Sequence, residues 1–447
     1  MIRKSRPLFR WTQHFWCVPT LITLGFAILA LAALEVDAHT HLKSLLPWRL
    51  LGETSPDSAM SLLSVIAGAM ITAGATVFSI NIVALTLASM QFSPRVLRNF
   101  MQDRITQVVL GVFLGAFIYC LIVLRTVRGG PNASLPILGI SLALLWAFVG
   151  IGFLIFFIHR ISISLQASHI AYQIVKDTYS VIDEFFPPQA SQDSPAPDPD
   201  PLKELPVGCA WHPIHAVKEG YIQEINEESL FRDAQAMGGI LRIHRGAGLF
   251  VMEGDPLAYI AGSEPPSTSK VRKVQRAFSI GPFRTLEQDI ACGIWQLVDM
   301  ALKALSPAVN DTSTGVMCVD HLMAIMSRIA PRSPRSRFRF AGERLRLITP
   351  VTSFASLLDQ ACDQIRHNAA NSIAILLRML HGLHALAGRV QDPERLSSIV
   401  KQMNAVIELA DQTLIYVGDR ELMSSYISVK LSRWNEEWKG FRFPGDL

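Results

Sequence analysis

Four long stretches of this 447-residue chain, residues 15–34, 60–90, 106–124 and 135–158, contain no aspartate, glutamate, lysine or arginine. Each is apolar and long enough to cross a hydrocarbon core of about 30 Å. Half of all residues are hydrophobic and only 17% are charged, which excludes an ordinary water-soluble chain and leaves a membrane part joined to soluble parts. The want of ionisable groups inside the spans argues against a proton-coupled carrier, which needs them along its pathway. Cysteine is scarce too: six residues, at 17, 120, 209, 292, 318 and 362, form no CxxC pair, so free thiols are expected rather than a disulfide scaffold or a zinc ribbon. Catalytic signatures are missing as well. There is no G-x-S-x-G elbow, phosphate loop, HExxH or strand-to-helix GxGxxG, and the chain is read as a non-enzyme with no cofactor.

What is there begins with topology. The first stretch follows Arg3, Lys4, Arg6 and Arg10, but it is longer than a signal-peptide core, and no small-x-small cleavage pattern stands before Glu35 and Asp37. It reads as a retained anchor. Lys and Arg cluster before the first span, between the second and third (Arg95, Arg98, Arg104) and after the fourth (Arg160), which places those three sides and both termini in the cytoplasm. Residues 1–165 carry a net charge of +7 and the remainder −3, so the basic excess belongs to membrane topology and not to a nucleic-acid surface.

The second span is unusually polar for lipid. At 100° per residue, Ser61, Ser64, Gly68, Thr72, Ala75, Ser79 and Thr86 fall within a sector about 80° wide, while Asn81 points the opposite way, on the side of Gly74 and Ala88. Gly68, Thr72, Ser79 and Thr86 are therefore candidates for a pore-facing or a helix-packing surface. Gly111-x-x-x-Gly115 in the third span supplies a matching contact surface for close helix approach. Pro94 ends the second helix, and Arg95 and Arg98 are expected at headgroup level.

Beyond the fourth span, helical spacing continues from 160 to 186, so the last membrane helix is expected to run on into the cytoplasm. Seven prolines between 187 and 206 then mark a linker. A second domain, 207–447, follows, with a β-rich part at 207–283, helices at 285–330, and a hairpin with further helices at 338–430. Residues 246–260 resemble the turn of biotinyl- and lipoyl-type barrel-sandwich modules, without the lysine that a carrier modifies. Thr285 and Gln288 make a capping box for a helix whose apolar face is Ile290, Ile294, Leu297, Ala301 and Leu305. Asn310 and Asp311 suit the start of the next helix. Cys209, His212 and His215, and the pair His381 and His384, lack the spacing of a metal site. Glu287, Asp289 and Asp299 are expected as solvated or capping carboxylates. The basic strip 328–340 reads as a solvated loop entering a hairpin, with anionic lipid headgroups as its functional alternative.

The strings "FSINIVALTLASMQFSPRVLRNFMQD", "LGVFLGAFIYCLIVLR" and "FRTLEQDIACGIWQLVDMALKALSPAVND", with the 246–260 turn, resemble the bacterial predicted-membrane-protein family called domain of unknown function 2254. The likeness spans residues about 10 to 420. It implies a four-span bacterial inner-membrane protein with a cytoplasmic C-terminal domain, and it brings no activity. The resulting expectation is an α-helical integral membrane protein with four transmembrane helices and a cytoplasmic α+β domain. Its partners are the lipid bilayer and further copies of itself. The functional reading is an oligomeric channel with the second span near the axis, set against a membrane-anchored scaffold or sensor without transport. Reporter fusions after Trp48 and after Pro187 test the topology, the first reading outward and the second inward; an inward Trp48 or an outward Pro187 overturns it.

Overall fold

The computed structural model describes residues 16–39, 55–91, 104–127, 135–164, 166–188 and 210–431. It divides into two compact units, residues 1–169 and 170–447.

Among the described residues, the first unit is built from four apolar helices: α1 (Cys17–His39), α2 (Pro56–Gln91), α3 (Arg104–Thr126) and α4 (Ile137–Ser164). All four are long and apolar enough to cross a membrane. Within α3, 61% of the apolar window is buried, against 22–33% in the others, so α3 is the central helix and the other three lean on it. Lipid tails are as apolar as leucine, which removes the usual hydrophobic gain on helix association and leaves close packing to hold the helices. Glycine provides it. A Cβ at Gly111 would lie 3.0 Å from Ile22, and one at Gly115 only 2.6 Å from Phe26, so the GxxxG surface of α3 receives α1. The expectation that this surface matches the second span is corrected by those contacts. On its other side, α3 meets α2 where Phe113 lies 3.3 Å from the Cβ position of Gly74.

One end of this bundle is tied by a polar contact between elements a hundred residues apart. Pro136 precedes α4, whose first N–H groups have no partner within their own helix. The carboxylate of Asp37, on the last turn of α1, accepts from the backbone N–H of Leu138 at 3.1 Å and of Gly139 at 3.0 Å. Tyr119 of α3, fully buried, donates to the Gly139 carbonyl at 3.1 Å.

The second unit opens with α5 (Ala167–Phe185), most of which lies beyond the division between the units. The expected run-on of the last membrane helix is interrupted: α4 closes at Ser164 and a separate helix starts at Ala167. The buried face of α5, including Ile174, Thr178, Val181 and Ile182, packs within the second unit, where Thr178 occupies the space a side chain on Gly293 would need. Of the expected linker at 187–206, residues 189–206 lie outside the described residues.

Among the described residues eight strands follow, β1 (Ala210–His215), β2 (Gly220–Ile225), β3 (Ile240–Ile243), β4 (Phe250–Val251), β5 (Pro256–Gly262), β6 (Phe278–Gly281), β7 (Phe338–Ala341) and β8 (Arg344–Ile348). They form a five-stranded sheet of order β1-β5-β3-β8-β7 and a three-stranded sheet of order β4-β2-β6. β3 and β8 run parallel; the other pairs are antiparallel. Helices α6 (Glu227–Met237) and α7 (Thr268–Arg276) complete this part, with Ile214, Ile222, Leu241, Val251, Leu257 and Leu347 in its core. The 246–260 segment threads between the two sheets: Gly248 donates to the Ile222 carbonyl and Gly254 to that of Ala216, at 2.8 and 3.0 Å.

A helical part contains α8 (Ile290–Ala304), α9 (Thr312–Ile329), α10 (Phe354–Asn368), α11 (Ile373–Ala387), α12 (Pro393–Thr413) and α13 (Val417–Tyr426). Ile294, Leu297, Ala301, Val319, Leu322, Met326 and Ile329 are buried as their 3.6-residue spacing implies, while Leu305 and Val316 are half-buried. The start of α8 differs from the expected capping box. Asp289 is the N-cap, accepting from Cys292 N–H at 3.2 Å, and Gly248 leaves room for its carboxylate. Gln288 instead pairs with both backbone groups of Ile225, at 2.8 and 3.1 Å, in the manner of a neighbouring strand. Asp311 caps α9 through Thr314 N–H at 3.0 Å, after Asn310 adopts a left-handed φ of 49°.

Replacing Asp37 by alanine leaves the first N–H groups of α4 unpaired and is expected to cost about 1 kcal/mol, the usual worth of an N-cap. Asp37→Asn should recover part of that loss. The melting temperature of the detergent-solubilised protein measures both, and an unshifted melt for Asp37→Ala overturns the assignment.

Candidate functional site: the bare face of the second span

Along α2, the residues buried in the first unit are Ala59, Leu63, Ile66, Ala67, Met70, Val77 and Ala84. At 100° per residue these lie within a sector centred on the face opposite the small, polar stripe. Ser61, Ser64, Gly68, Thr72, Ala75, Ser79 and Thr86 are all exposed on the single chain, and Ile82 is the only large residue that interrupts them. Among the described residues, a Cβ built on Gly68 meets nothing within 4 Å. Asn81, half-buried, sits on the inward side with Gly74. Packing within the chain thus accounts for the Asn81 side and leaves the stripe unused.

Two hydroxyls of the stripe, those of Thr72 and Thr86, are satisfied within their own helix. Thr72 donates to the Gly68 carbonyl at 2.8 Å and Thr86 to that of Ile82 at 2.9 Å, while Thr76, beside the stripe, donates to Thr72 at 2.9 Å. Such back-bonding lets a hydroxyl lie against an apolar neighbour without leaving its donor unmet, yet the oxygen lone pairs stay open to water or to another helix. The surface is therefore polar, uncharged and thin, flanked by exposed Val65, Phe78 and Val83. Gly68, Thr72, Ser79 and Thr86 are brought onto one face. Pro94, Arg95 and Arg98 lie outside the described residues.

In the second unit, the basic strip runs as a loop into a hairpin with Arg335 and Arg337 exposed, as expected, but Arg328, Arg332 and Arg339 within it form an ion-paired seam. Asp183, near the end of α5, accepts from Arg328 through both oxygens at 3.0 and 2.7 Å and from Arg332 at 2.6 Å. Arg332 also reaches the Phe186 carbonyl at 3.0 Å, the Arg335 N–H donates to that of Phe185 at 2.9 Å, and Arg328 lies over the Tyr179 ring at 4.5 Å. Arg339 pairs with Glu228 at 2.7 Å. The hydrogen bonds from Arg328, with those from Arg332, hold the Asp183 carboxyl below the usual carboxylate range. Sequence reading missed this seam because its acid and its arginines stand about 145 positions apart; only the acid-poor run of arginines hinted that a partner was owed elsewhere.

The other candidates resolve into structural roles. His215 donates from Nδ1 to the Gly254 carbonyl at 2.7 Å, and Cys209 lies outside the described residues. His381 packs edge-on against Tyr426 at 4.4 Å, and His384 lies 3.3 Å from the same hydroxyl. Among the described residues no three His, Cys, Asp or Glu side chains are placed to share a metal ion. Asp289, expected at the surface or as a cap, is a buried cap whose carboxyl is pushed up by burial and pulled back by Arg284, 2.7 Å away. Burial pushes the Cys318 and Cys362 thiols up to about 12, which makes them inert packing groups.

Comparison with known proteins bears on the whole chain. The model of a predicted-membrane-protein family, domain of unknown function 2254, matches residues 12–385. Uncharacterized proteins of Mycobacterium tuberculosis and Mycobacterium bovis are each 31% identical over 439 residues, covering 95% of this chain and 81% of theirs. No solved structure matches.

Because the folded Asp183 carboxyl is depressed, its contribution is present above the unfolded value near pH 3.9 and is lost as pH falls through the lower folded one. Asp183→Asn should therefore lower the melting temperature at neutral pH by the equivalent of about 1 kcal/mol, a partly exposed pair being screened by water. The gap between variant and wild type should close as the pH is lowered below about 4. A gap that is constant across that range assigns the effect to packing instead.

Proposed function

The chain belongs to the predicted-membrane-protein family of domain of unknown function 2254, and from that premise we propose that it is an oligomeric, channel-like protein of the bacterial inner membrane. Both termini lie in the cytoplasm, α2 faces the axis of the assembly, and the second unit is a cytoplasmic regulatory domain. One observation carries the reading: the small, polar stripe of α2 lies on the side of that helix which the chain's own packing leaves bare. The distribution of Lys and Arg around the spans supports the orientation.

Four spans are too few to enclose a path within one chain, so several copies must contribute one helix each. Uncharged hydroxyls and glycines suffice for conduction, and flanking large apolar side chains supply a constriction that gates by dewetting. Without ionisable groups in the spans, coupling to protons has no chemical carrier, which favours passive flow. The second unit supplies the regulated part, joined to the spans through α5 and its Asp183 clamp.

The test places single cysteines at Gly68, Thr72, Ser79, Thr86 and Asn81 in a background lacking the six native ones. A membrane-impermeant thiol reagent should modify the first four and spare the fifth. Gly68→Leu should alter ion or solute flux in reconstituted vesicles with no loss of thermal stability, since nothing among the described residues stands within 4 Å of the first added carbon. Protection of all four stripe positions with unaltered flux moves the choice to a membrane-anchored scaffold or sensor without transport.

A further inference from the structure

Where the parallel strands β3 and β8 end side by side, the second unit has a cavity of about 290 Å³ lined by Arg242, His244, Arg337, Thr349, Pro350 and Val351, with no carboxylate in its wall. The alternation of β3 buries Leu241 and Ile243 and leaves Arg242 and His244 on the opposite, solvent-facing side. Arg337 enters from the segment before β7, and its backbone is fixed by Thr349, whose N–H donates to the Arg337 carbonyl at 2.8 Å. Aromatic contacts restrain two of the three basic groups: the Arg337 guanidinium lies 4.8 Å from the Phe338 ring centre, and the His244 ring stands edge-on to Tyr259 at 5.3 Å.

Several other arginines of the second unit have partners. Arg245 faces Asp255, Arg339 holds Glu228, Arg328 and Arg332 share Asp183, and Arg346 donates to the Gly239 carbonyl. Among the described residues, Arg242 and Arg337 have no acid within ion-pair distance. Two guanidinium groups gathered at one concavity repel one another, and an anion relieves that repulsion. The fork of an arginine matches the paired oxygens of a phosphate, and two such forks suit a dianion better than a single carboxylate. Pro350 and Val351 offer an apolar wall to whatever the anion is attached to.

We propose that this cavity is a binding site for a phosphate monoester, held by Arg242 and Arg337 with His244 and Thr349 at its edge. The assignment stands independently of the channel reading, since it rests on the second unit alone.

The experiment uses the full chain in phosphatidylcholine nanodiscs, titrated calorimetrically with inorganic phosphate and with adenosine monophosphate. A parallel set of nanodiscs contains phosphatidic acid, whose headgroup is a lipid-borne phosphate monoester, with thermal melting as the readout. Saturable binding of either soluble probe, weakened at least tenfold in both Arg242→Ala and Arg337→Ala and largely retained in Arg337→Lys, supports the site with a soluble ligand. A melting shift on phosphatidic acid alone, lost in the same two alanine variants, supports it with a lipid source. Arg272→Ala, exposed on α7, should behave as wild type. Both cavity arginines are exposed and without an acid partner, so the alanine variants should melt like wild type in the absence of ligand. Lowered melting without ligand, no saturable binding from any source, or binding that the alanine variants leave unchanged each overturns the proposal.

Discussion

A helix in lipid gains nothing from being apolar next to another apolar helix, so association depends on how closely two backbones can approach. In this protein that constraint is met on α3, where Gly111 and Gly115 admit Ile22 and Phe26 of α1, and where Phe113 fills the gap left by Gly74 of α2. The arrangement of the four spans follows from α3 being the helix with contacts on most sides. Because α2 spends its Gly74 side on α3, its stripe of hydroxyls and small residues is turned outward, and the question of function begins on that outward face.

The second unit is organised by a different economy, that of polar groups satisfied far from where they stand in sequence. Gln288 completes the hydrogen bonding of Ile225, Asp289 starts α8 beneath Gly248, and Asp183 gathers Arg328 and Arg332 onto the end of α5. Each contact joins an element of one part to an element of another. Together they make the strand-rich and helical parts one body and anchor to it the helix that follows the last span. Arg242 and Arg337 stand apart from this pattern, and their isolation gives the β3–β8 cavity its chemistry.

Much of this was legible in the sequence wherever the governing physics is local. The four spans, found between Cys17 and Ile163, had to be contiguous because a backbone in hydrocarbon must satisfy itself within one segment. The apolar faces of α8 and α9 and the β7–β8 hairpin around Gly342 follow from period and turn chemistry, and so does the grouping of Gly68, Thr72, Ser79 and Thr86 on one side of α2. Which side of α2 turned inward was not legible, since that depends on the shape of α3. Nor was the role of Asp37, whose partners lie about a hundred residues on. Thr285 and Gln288 have the spacing of a capping box, but β2 offered them better partners, and the acid at 289 took the helix start. Local pattern names the residues that can cap; tertiary context decides which one does.

The central position of α3 also orders events in time. The ribosome releases α1 and α2 before the helix that both of them pack against, so two spans must wait in the bilayer with their complementary grooves empty. Gly74 and the Pro19–Phe26 surface of α1 have no partner until residues 104–126 have been made. Asp37 waits longer still, until the first turn of α4 emerges and gives its carboxylate a pair of N–H groups. Assembly of the membrane unit is thus completed from its C-terminal side, and a nascent chain halted after its second span is a pair of inserted helices without a core.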